Sequence, residues 1–380
     1  MAWSVPLDLE DALYLATRAA VGDQALATAA LTRAIVDRSQ RYTSDRAKLA
    51  APTDRTGDLA ARAVFFTVAD AMKIAIPLAE LANREALPAR RPLRVVDIGA
   101  GCGAMTLGLL VQLAAGTAVD VVAIDRDTAA LGIANAAIRT LASRRDLTVS
   151  LATRSEDVTR AAVPAADLVL LGTVLNELPL EASTALVERA LAAIADDGAV
   201  IVIEPALRDT SRALHALRDV LIARGAGHVF APCTRRGAPC PALADPDDWC
   251  HEDRALRLPP RTAELARLTH LRDSGMKFSY LVLRREARAL VEPRDDARAA
   301  WRIVSAPRPA KGKLELIGCS DAGRIPIRLL RRHRVAGNRD FERADRGDVI
   351  VTTATADDTR VELDADSAIE RIEPARDRSR

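Results

Sequence analysis

At 380 residues with a hydrophobic share of 49%, the chain has length for about two domains plus extensions and can bury a sizeable core. Its 54 Lys and Arg nearly balance its 52 Asp and Glu, so net charge alone selects no nucleic acid, membrane or acidic partner. No stretch approaches about 18 uninterrupted apolar residues, so no segment reads as a membrane span.

The opening MAWSVPLDLEDALYLATRAA carries acids and lacks a basic region ahead of an apolar core, unlike a secretory leader. A cytoplasmic setting is expected, where thiols stay reduced and grouped cysteines point to metal rather than disulfides. Residues 1–90 read as a helical region. PLDLEDALYLATRAAVG and DLAARAVFFTVADAMKIAIPLAELANREA show apolar residues at helical spacing, with a polar connection RYTSDRAKLAAPTDRTGD between them.

Over residues 91–285 short β-branched runs alternate with helical segments. RVVDIG, VDVVAID, LTVSLA, ADLVLLG and GAVIVIEP are expected strands, and GHVFAP and KFSYLVLRR make seven. This is the βαβ signature of a largely parallel sheet covered on both faces, a Rossmann-like fold. Residues 286–364 read as a small β domain of short strands, and 365–380 as a flexible tail.

The first strand ends in VVDIGAGCGAM, where Gly99, Gly101 and Gly103 open into a helix. Such glycines let a ligand approach main-chain N–H groups at a helix N-terminus. The pattern also satisfies a nicotinamide fingerprint, so a dehydrogenase is a further reading. Asp97 favours S-adenosylmethionine: an acid just before the glycines repels a pyrophosphate but suits an ammonium and a sulfonium. Asp125, ending the second strand, is placed to accept ribose hydroxyls, and Asp157 either meets the adenine amine or caps its turn. Cys102, inside the loop, reads as a packing residue. After the fourth strand comes GTVLNELP, at the edge that lines the pocket in open α/β sheets. Asn176 and Glu177 are therefore catalytic candidates near a methyl acceptor, against a plain helix-cap role.

Only five cysteines occur in the chain, yet Cys233, Cys240 and Cys250 share the loop at 231–251, followed by His251. Cys319 is the one thiol downstream. The short C-x2-4-C knuckle of structural zinc sites is absent. The long gaps fit a bulkier guest, and an iron-sulfur cluster held by four thiolates tolerates ligands from separate loops. Zinc remains the alternative metal, and His251 is a possible fourth ligand in place of Cys319 or a supporting residue. A cluster here reads as a structural rivet between the loop and the β domain.

Together, VVDIGAGCGAMTLGL, DLVLLGTVLNELP, HVFAPCTRRGAPCP, DWCH, KFSYLVLRR and IGCSDAGRIPIRLLRRHR resemble the methyltransferase-like small-ribosomal-subunit family, over about residues 60–350. The resemblance implies a class I methyltransferase fold with an N-terminal helical extension and a small C-terminal β domain. It further implies bound S-adenosylmethionine and a 4Fe-4S cluster on Cys233, Cys240, Cys250 and Cys319, with Gly99, Gly101 and Asp125 contacting the cofactor. Thr234, Arg235 and Glu252 depart from the family's pattern. The partner implied is the small ribosomal subunit or its rRNA, with no DNA or membrane expected. The rival is a small-molecule methyltransferase with a structural zinc site.

Residues 324–346 hold eight Arg and a His against three acids. Within them RIPIRLLRRHR is expected to put Arg324, Arg328, Arg332 and Arg334 on one face suited to RNA phosphates.

Overall fold

The computed structural model describes residues 3–44, 54–235, 237, 239–272, 275–292, 298–357 and 359–375. The chain divides into two compact units, one of residues 1–75, 89–174 and 254–276, the other of 76–88, 175–253 and 277–380.

The first unit opens with helices α1 (Leu7–Val21), α2 (Thr28–Ser44) and α3 (Arg55–Ala61). Asp54 starts α3 by accepting the Gly57 N–H at 2.9 Å, which satisfies one of the donors a helix N-terminus leaves open. The polar connection is shorter than the sequence suggested, because α2 runs on through Arg41–Ser44 and α3 begins at Arg55. Four strands follow: β1 (Leu93–Ile98), β2 (Ala118–Asp125), β3 (Thr148–Ser155) and β4 (Ala166–Gly172). All are parallel, in the order β3-β2-β1-β4. Helices α4 (Ala104–Gln112) and α5 (Thr128–Arg144) make the crossovers, so β1 and β4 are buried almost throughout and read as apolar runs. The strand order reverses between β1 and β4, and the crevice at such a switch point is where open α/β sheets bind ligands.

In the second unit, α6 (Leu180–Ala193) and α7 (Arg208–Ala223) alternate with β5 (Ile194–Pro205) and β6 (His228–Ala231). Strand β7 (Met276–Arg284) lies between β5 and β6, antiparallel to both. Four parallel strands in one unit and three with one reversed in the other are the seven read from the sequence. The fold is the Rossmann-like class I methyltransferase type.

The rest of this unit is a second sheet: β8 (Ala299–Ile303), β9 (Arg308–Ala310), β10 (Lys313–Ser320), β11 (Gly323–Leu330), β12 (Val349–Thr352), β13 (Val361–Leu363) and β14 (Ile369–Ile372). Its order is β13-β11-β10-β8-β12-β14, with β9 paired to β10. Trp301, Leu316, Ile327, Phe341 and Ile350 form its core. The expected tail at 365–380 is corrected in part: Ile369–Ile372 pairs antiparallel with β12, because alternate residues there find a ladder partner. Residues 376–380 lie outside the described residues.

A buried polar network fastens this sheet to its own unit. Arg302 of β8 donates to Glu80 Oε1 at 2.8 Å, to Glu252 Oε1 at 2.9 Å and to the Tyr280 hydroxyl at 3.0 Å. Tyr280 in turn donates to Glu80 Oε2 at 2.7 Å. Burial works against the Arg302 charge, but Tyr280, Glu80 and Glu252 outweigh it and hold the guanidinium protonated. Removing one partner of a buried charge set strands the others. Arg302→Met is therefore expected to lower the unfolding free energy by about 3–5 kcal/mol in urea titrations. Adding Glu80→Gln and Glu252→Gln should recover part of that loss, and a loss below about 1 kcal/mol for the single variant would contradict this account.

Candidate functional site

The glycine loop connects β1 to α4. Gly99 has φ of 72°, and a Cβ there would sit 2.6 Å from Val174 Cγ2. Gly103, with φ of 88°, is the residue preceding α4, and a Cβ would meet Ala134 Cβ at 3.2 Å. Only glycine takes both the backbone conformation and the space. Gly101 donates its N–H to Asp125 Oδ2 at 2.8 Å, and Asp127 donates to Asp125 Oδ1 at 2.8 Å. Each carboxylate oxygen retains acceptor capacity for a ribose hydroxyl.

Asp97 is buried at the end of β1. Its Oδ2 accepts from the Thr106 N–H at 3.2 Å and the Thr106 hydroxyl at 2.7 Å, filling the open N-terminus of α4. Its Oδ1 is buried without a hydrogen-bond partner. Burial pushes the carboxyl up to about 6, with Thr106 opposing and Asp125 adding to the rise. A buried orphan oxygen of this kind suits a cationic donor. Asp157 is exposed and accepts from the Thr159 N–H and hydroxyl, so it caps its own turn. Cys102 is buried, which drives its thiol up to about 11 and leaves it a packing residue. Sequence reasoning missed Arg62, which pairs with Asp127 at 2.5 Å and comes within 3.6 Å of a Cβ built on Gly101.

In the second unit, Asn176 and Glu177 lie in a single 3-10 turn, Leu175–Glu177. Neither caps α6, which is preceded by Pro179. Asn176 Nδ2 donates to Glu204 Oε2 at 2.7 Å, and Leu175 N–H donates to Glu204 Oε1 at 2.8 Å. Glu204, buried at the end of β5, is another residue the sequence did not single out.

The four remaining thiols come together. Cys233, Cys240, Cys250 and Cys319 line one cavity of about 50 Å³, several times the roughly 10–15 Å³ that one water needs. Burial first, and then Cys233 as a neighbour, raise Cys240 to about 11 and Cys250 to about 12. Burial, followed by Cys233, Cys250 and Cys240, also raises Cys319. No group of three or more His, Cys, Asp or Glu among the described residues is arranged to hold a metal ion. His251 shares the cavity, stacks on Trp249 at 6.0 Å between ring centroids, and has a buried Nδ1 without a partner.

What fixes this loop is α7. Positions 208, 212, 215 and 219 share one helical face. Arg212 donates to four main-chain carbonyls, Ala242 at 2.9 Å, Asp245 at 2.6 Å, Asp248 at 2.8 Å and Leu243 at 3.3 Å. His215, which burial pushes down to about 4 and so keeps neutral, accepts the Cys250 N–H on Nε2 at 3.0 Å. Asp219 accepts the Cys240 N–H at 2.9 and 3.1 Å. On the other side, the Thr234 hydroxyl donates to the Cys319 carbonyl at 3.0 Å, and Arg235 donates to the carbonyls of Ser320 and Asp321.

The expected basic face is corrected. Strand β11 ends at Leu330, so Arg332 and Arg334 lie in the turn beyond it. Arg328 sits between Glu315 and Glu362 of the neighbouring strands and pairs with both, at 3.4 and 3.1 Å. Arg324 pairs with Asp248 and lines the thiol cavity, and Arg334 pairs with Glu342. Acids that a single strand's sequence does not reveal therefore pair with Arg324, Arg328 and Arg334, those of Arg328 lying across the ladder, while Arg332 meets none among the described residues.

Residues 61–350 match the sequence profile of the family described as mitochondrial small ribosomal subunit Rsm22. No curated protein matches the chain. Among solved structures it is similar to the magnesium protoporphyrin IX methyltransferase of Synechocystis PCC 6803 with bound S-adenosylmethionine. There identity is 13%, coverage 65% of this chain and 94% of that one, and TM-score 0.36. It is also similar to an O-methyltransferase family protein from Burkholderia thailandensis, with 14% identity, coverage of 67% and 72%, and TM-score 0.35.

Two outcomes are expected from this geometry. The folded-state pKa of Asp97 lies above the unfolded value, so its contribution to stability is present below about 4 and lost as pH rises through about 6. Ligand-free Asp97→Asn should accordingly exceed the parent at pH 8 by up to about 3 kcal/mol, the gap shrinking below about pH 6 and closing towards pH 4 in denaturant titrations. Arg212→Ala leaves four carbonyls short of a donor. It should cost about 1–3 kcal/mol and speed proteolytic cleavage of the 240–250 loop, with Arg212→Lys failing to restore protection because an ammonium lacks the guanidinium fork.

Proposed function

We propose that this chain, which belongs to the mitochondrial small ribosomal subunit Rsm22 family, is an S-adenosylmethionine-dependent methyltransferase-type protein that acts on the small ribosomal subunit or its rRNA. In this reading it carries a 4Fe-4S cluster on Cys233, Cys240, Cys250 and Cys319 and works in the cytoplasm, where thiols stay reduced. The observation that carries the reading is the meeting of a loop's three thiols with one from a distant strand around a single cavity, in a chain whose family match spans them.

Bound S-adenosylmethionine supplies an electrophilic methyl group. On the protein side, the orphan Oδ1 of Asp97 offers an acceptor for its ammonium, and Asp125 for its ribose. The glycines leave the loop's main chain open to close approach. Asn176, held by Glu204, and Glu177 are the residues proposed near the methyl acceptor.

The donor set fits iron-sulfur chemistry. Four thiolates neutralise cluster iron one apiece. Arg218 draws the Cys240 pKa down, and Arg324 that of Cys250 and Cys319, so each offsets negative charge that a thiolate ring accumulates. Because burial keeps Cys240 and Cys250 protonated at neutral pH, loading releases protons and is favoured at pH 8 over pH 6.5. The role proposed for the cluster is structural, a rivet between the thiol loop and β10.

The test is iron, sulfide and zinc content with a visible spectrum on anaerobically purified protein, beside Cys240→Ser. S-adenosylmethionine calorimetry and co-sedimentation with small subunits at moderate salt complete it. About four irons per chain, a broad visible band weakened in the variant, and binding lost in Asp97→Asn support the proposal. One zinc without colour, and no co-sedimentation, would move a small-molecule methyltransferase with structural zinc ahead of it.

A further inference from the structure

The C-terminal sheet carries a second charged feature at its hairpin end. The β9–β10 turn, Ala310–Lys313, is tied to the segment after β11 by the Arg331 N–H donating to the Gly312 carbonyl at 2.9 Å. Lys313 stands opposite Leu330 in the β10–β11 ladder. Two cationic segments far apart in sequence, around 308–311 and 331–332, therefore share one end of the sheet. Arg308, Lys311, Arg331 and Arg332 are all exposed. Among the described residues Arg308, Lys311 and Arg331 form no ion pair, and the side chain of Arg332 hydrogen-bonds only His333. This is the reverse of β11, where each arginine meets a carboxylate.

Partner chemistry follows from what surrounds these cations. Residues 306–335 contain no Phe, Trp or Tyr, so the large aromatic platforms on which successive unpaired bases stack are missing there. The flanking aromatics Trp301 and Phe341 are in the core. Free guanidinium and ammonium groups without aromatics suit phosphate oxygens of a nucleic acid backbone, read by charge rather than sequence. A competing explanation is sheet-edge protection. Strand β9 is an edge, and Arg308, Pro309 and Lys311 are residue types that discourage edge pairing. That purpose needs no charge at Arg331 and Arg332, which follow a strand paired on both sides.

We propose that Arg308, Lys311, Arg331 and Arg332 form a phosphate-binding tip that takes the backbone of folded RNA. The choice of RNA over an acidic protein rests on the ribosomal reading above, and the experiment separates the two. Full-length protein is titrated into a labelled RNA hairpin of arbitrary sequence across a salt series. The variant combines Lys311→Ala, Arg331→Ala and Arg332→Ala. Arg328→Ala, within the neutralised ladder, is the control, and thermal melts check that each variant folds. The triple variant should bind at least about tenfold more weakly at low salt, with its log affinity against log salt slope shallower by roughly 2–3. The control should stay within about twofold of the parent.

A triple variant that melts like the parent and binds the hairpin equally well overturns the tip, leaving these charges to edge protection. Polyglutamate displacing the hairpin at matched charge overturns RNA in favour of an acidic protein. Should the triple variant melt early, Lys311→Gln with Arg332→Gln carries the same test with two contacts. Small-subunit co-sedimentation is scored separately. Hairpin binding through the tip without co-sedimentation sinks the ribosomal reading alone, whereas co-sedimentation untouched by the triple variant sinks the tip alone.

Discussion

A single buried guanidinium governs the geometry of the second unit. Arg302 holds Glu80, Tyr280 and Glu252 at once, which ties residues 76–88, strand β7 and the end of the thiol loop to strand β8. In the β8–β10 ladder Arg302 stands opposite Cys319. Glu252 is two residues beyond Cys250. One residue thus links two thiols that lie far apart in the sequence, Cys319 through its backbone ladder and the Cys250 segment through its side chain. Arg302, Tyr280 and Glu252 line the same cavity as the thiols, so most of the charge set that anchors the sheet is also part of the site's wall.

The second constraint is main-chain satisfaction. The thiol loop carries little regular structure, and its N–H and C=O groups need partners that it cannot provide itself. Helix α7 supplies them along one face, and Thr234 and Arg235 supply them to the end of β10. Thr234, Arg235 and Glu252 each have a defined hydrogen-bonding role, two against β10 and one against Arg302.

Much of this was legible in the sequence because the signals are local. Alternation of β-branched runs with helical spacing gives the seven strands, and glycines ahead of a helix give the loop around Gly99 and Gly103. Scarcity made the cysteines conspicuous, and they do converge. What stayed hidden depends on tertiary placement. In TSRALHALRDV, Arg212, His215 and Asp219 read as the polar face of an amphipathic helix, and nothing in their spacing says that a loop thirty residues on needs those groups. Glu204 reads as the end of an apolar strand, and Arg302 as an ordinary strand residue. The β11 arginines misled for the complementary reason, since Glu315 and Glu362 come from other strands. The tail misled because Ile369–Ile372 has too few residues to announce a strand without its partner β12.

Both candidate sites bury groups whose charged forms the surroundings disfavour. Asp97 is driven up to about 6, and the thiols of Cys240 and Cys250 to about 11 and 12. In the ligand-free chain these are liabilities: a carboxylate with one orphan oxygen in the first unit, and the buried thiols of Cys240 and Cys250 in the second. A cationic guest reverses the sign at each, and whatever binds only the folded state adds its binding free energy to stability. This explains why the thiol cavity is held from outside, by α7 and by Arg302, rather than by the thiols. A wall that kept its shape only when occupied would leave the loop's main chain unsatisfied before loading. A wall hydrogen-bonded beforehand leaves less ordering to oppose whatever the cavity takes up.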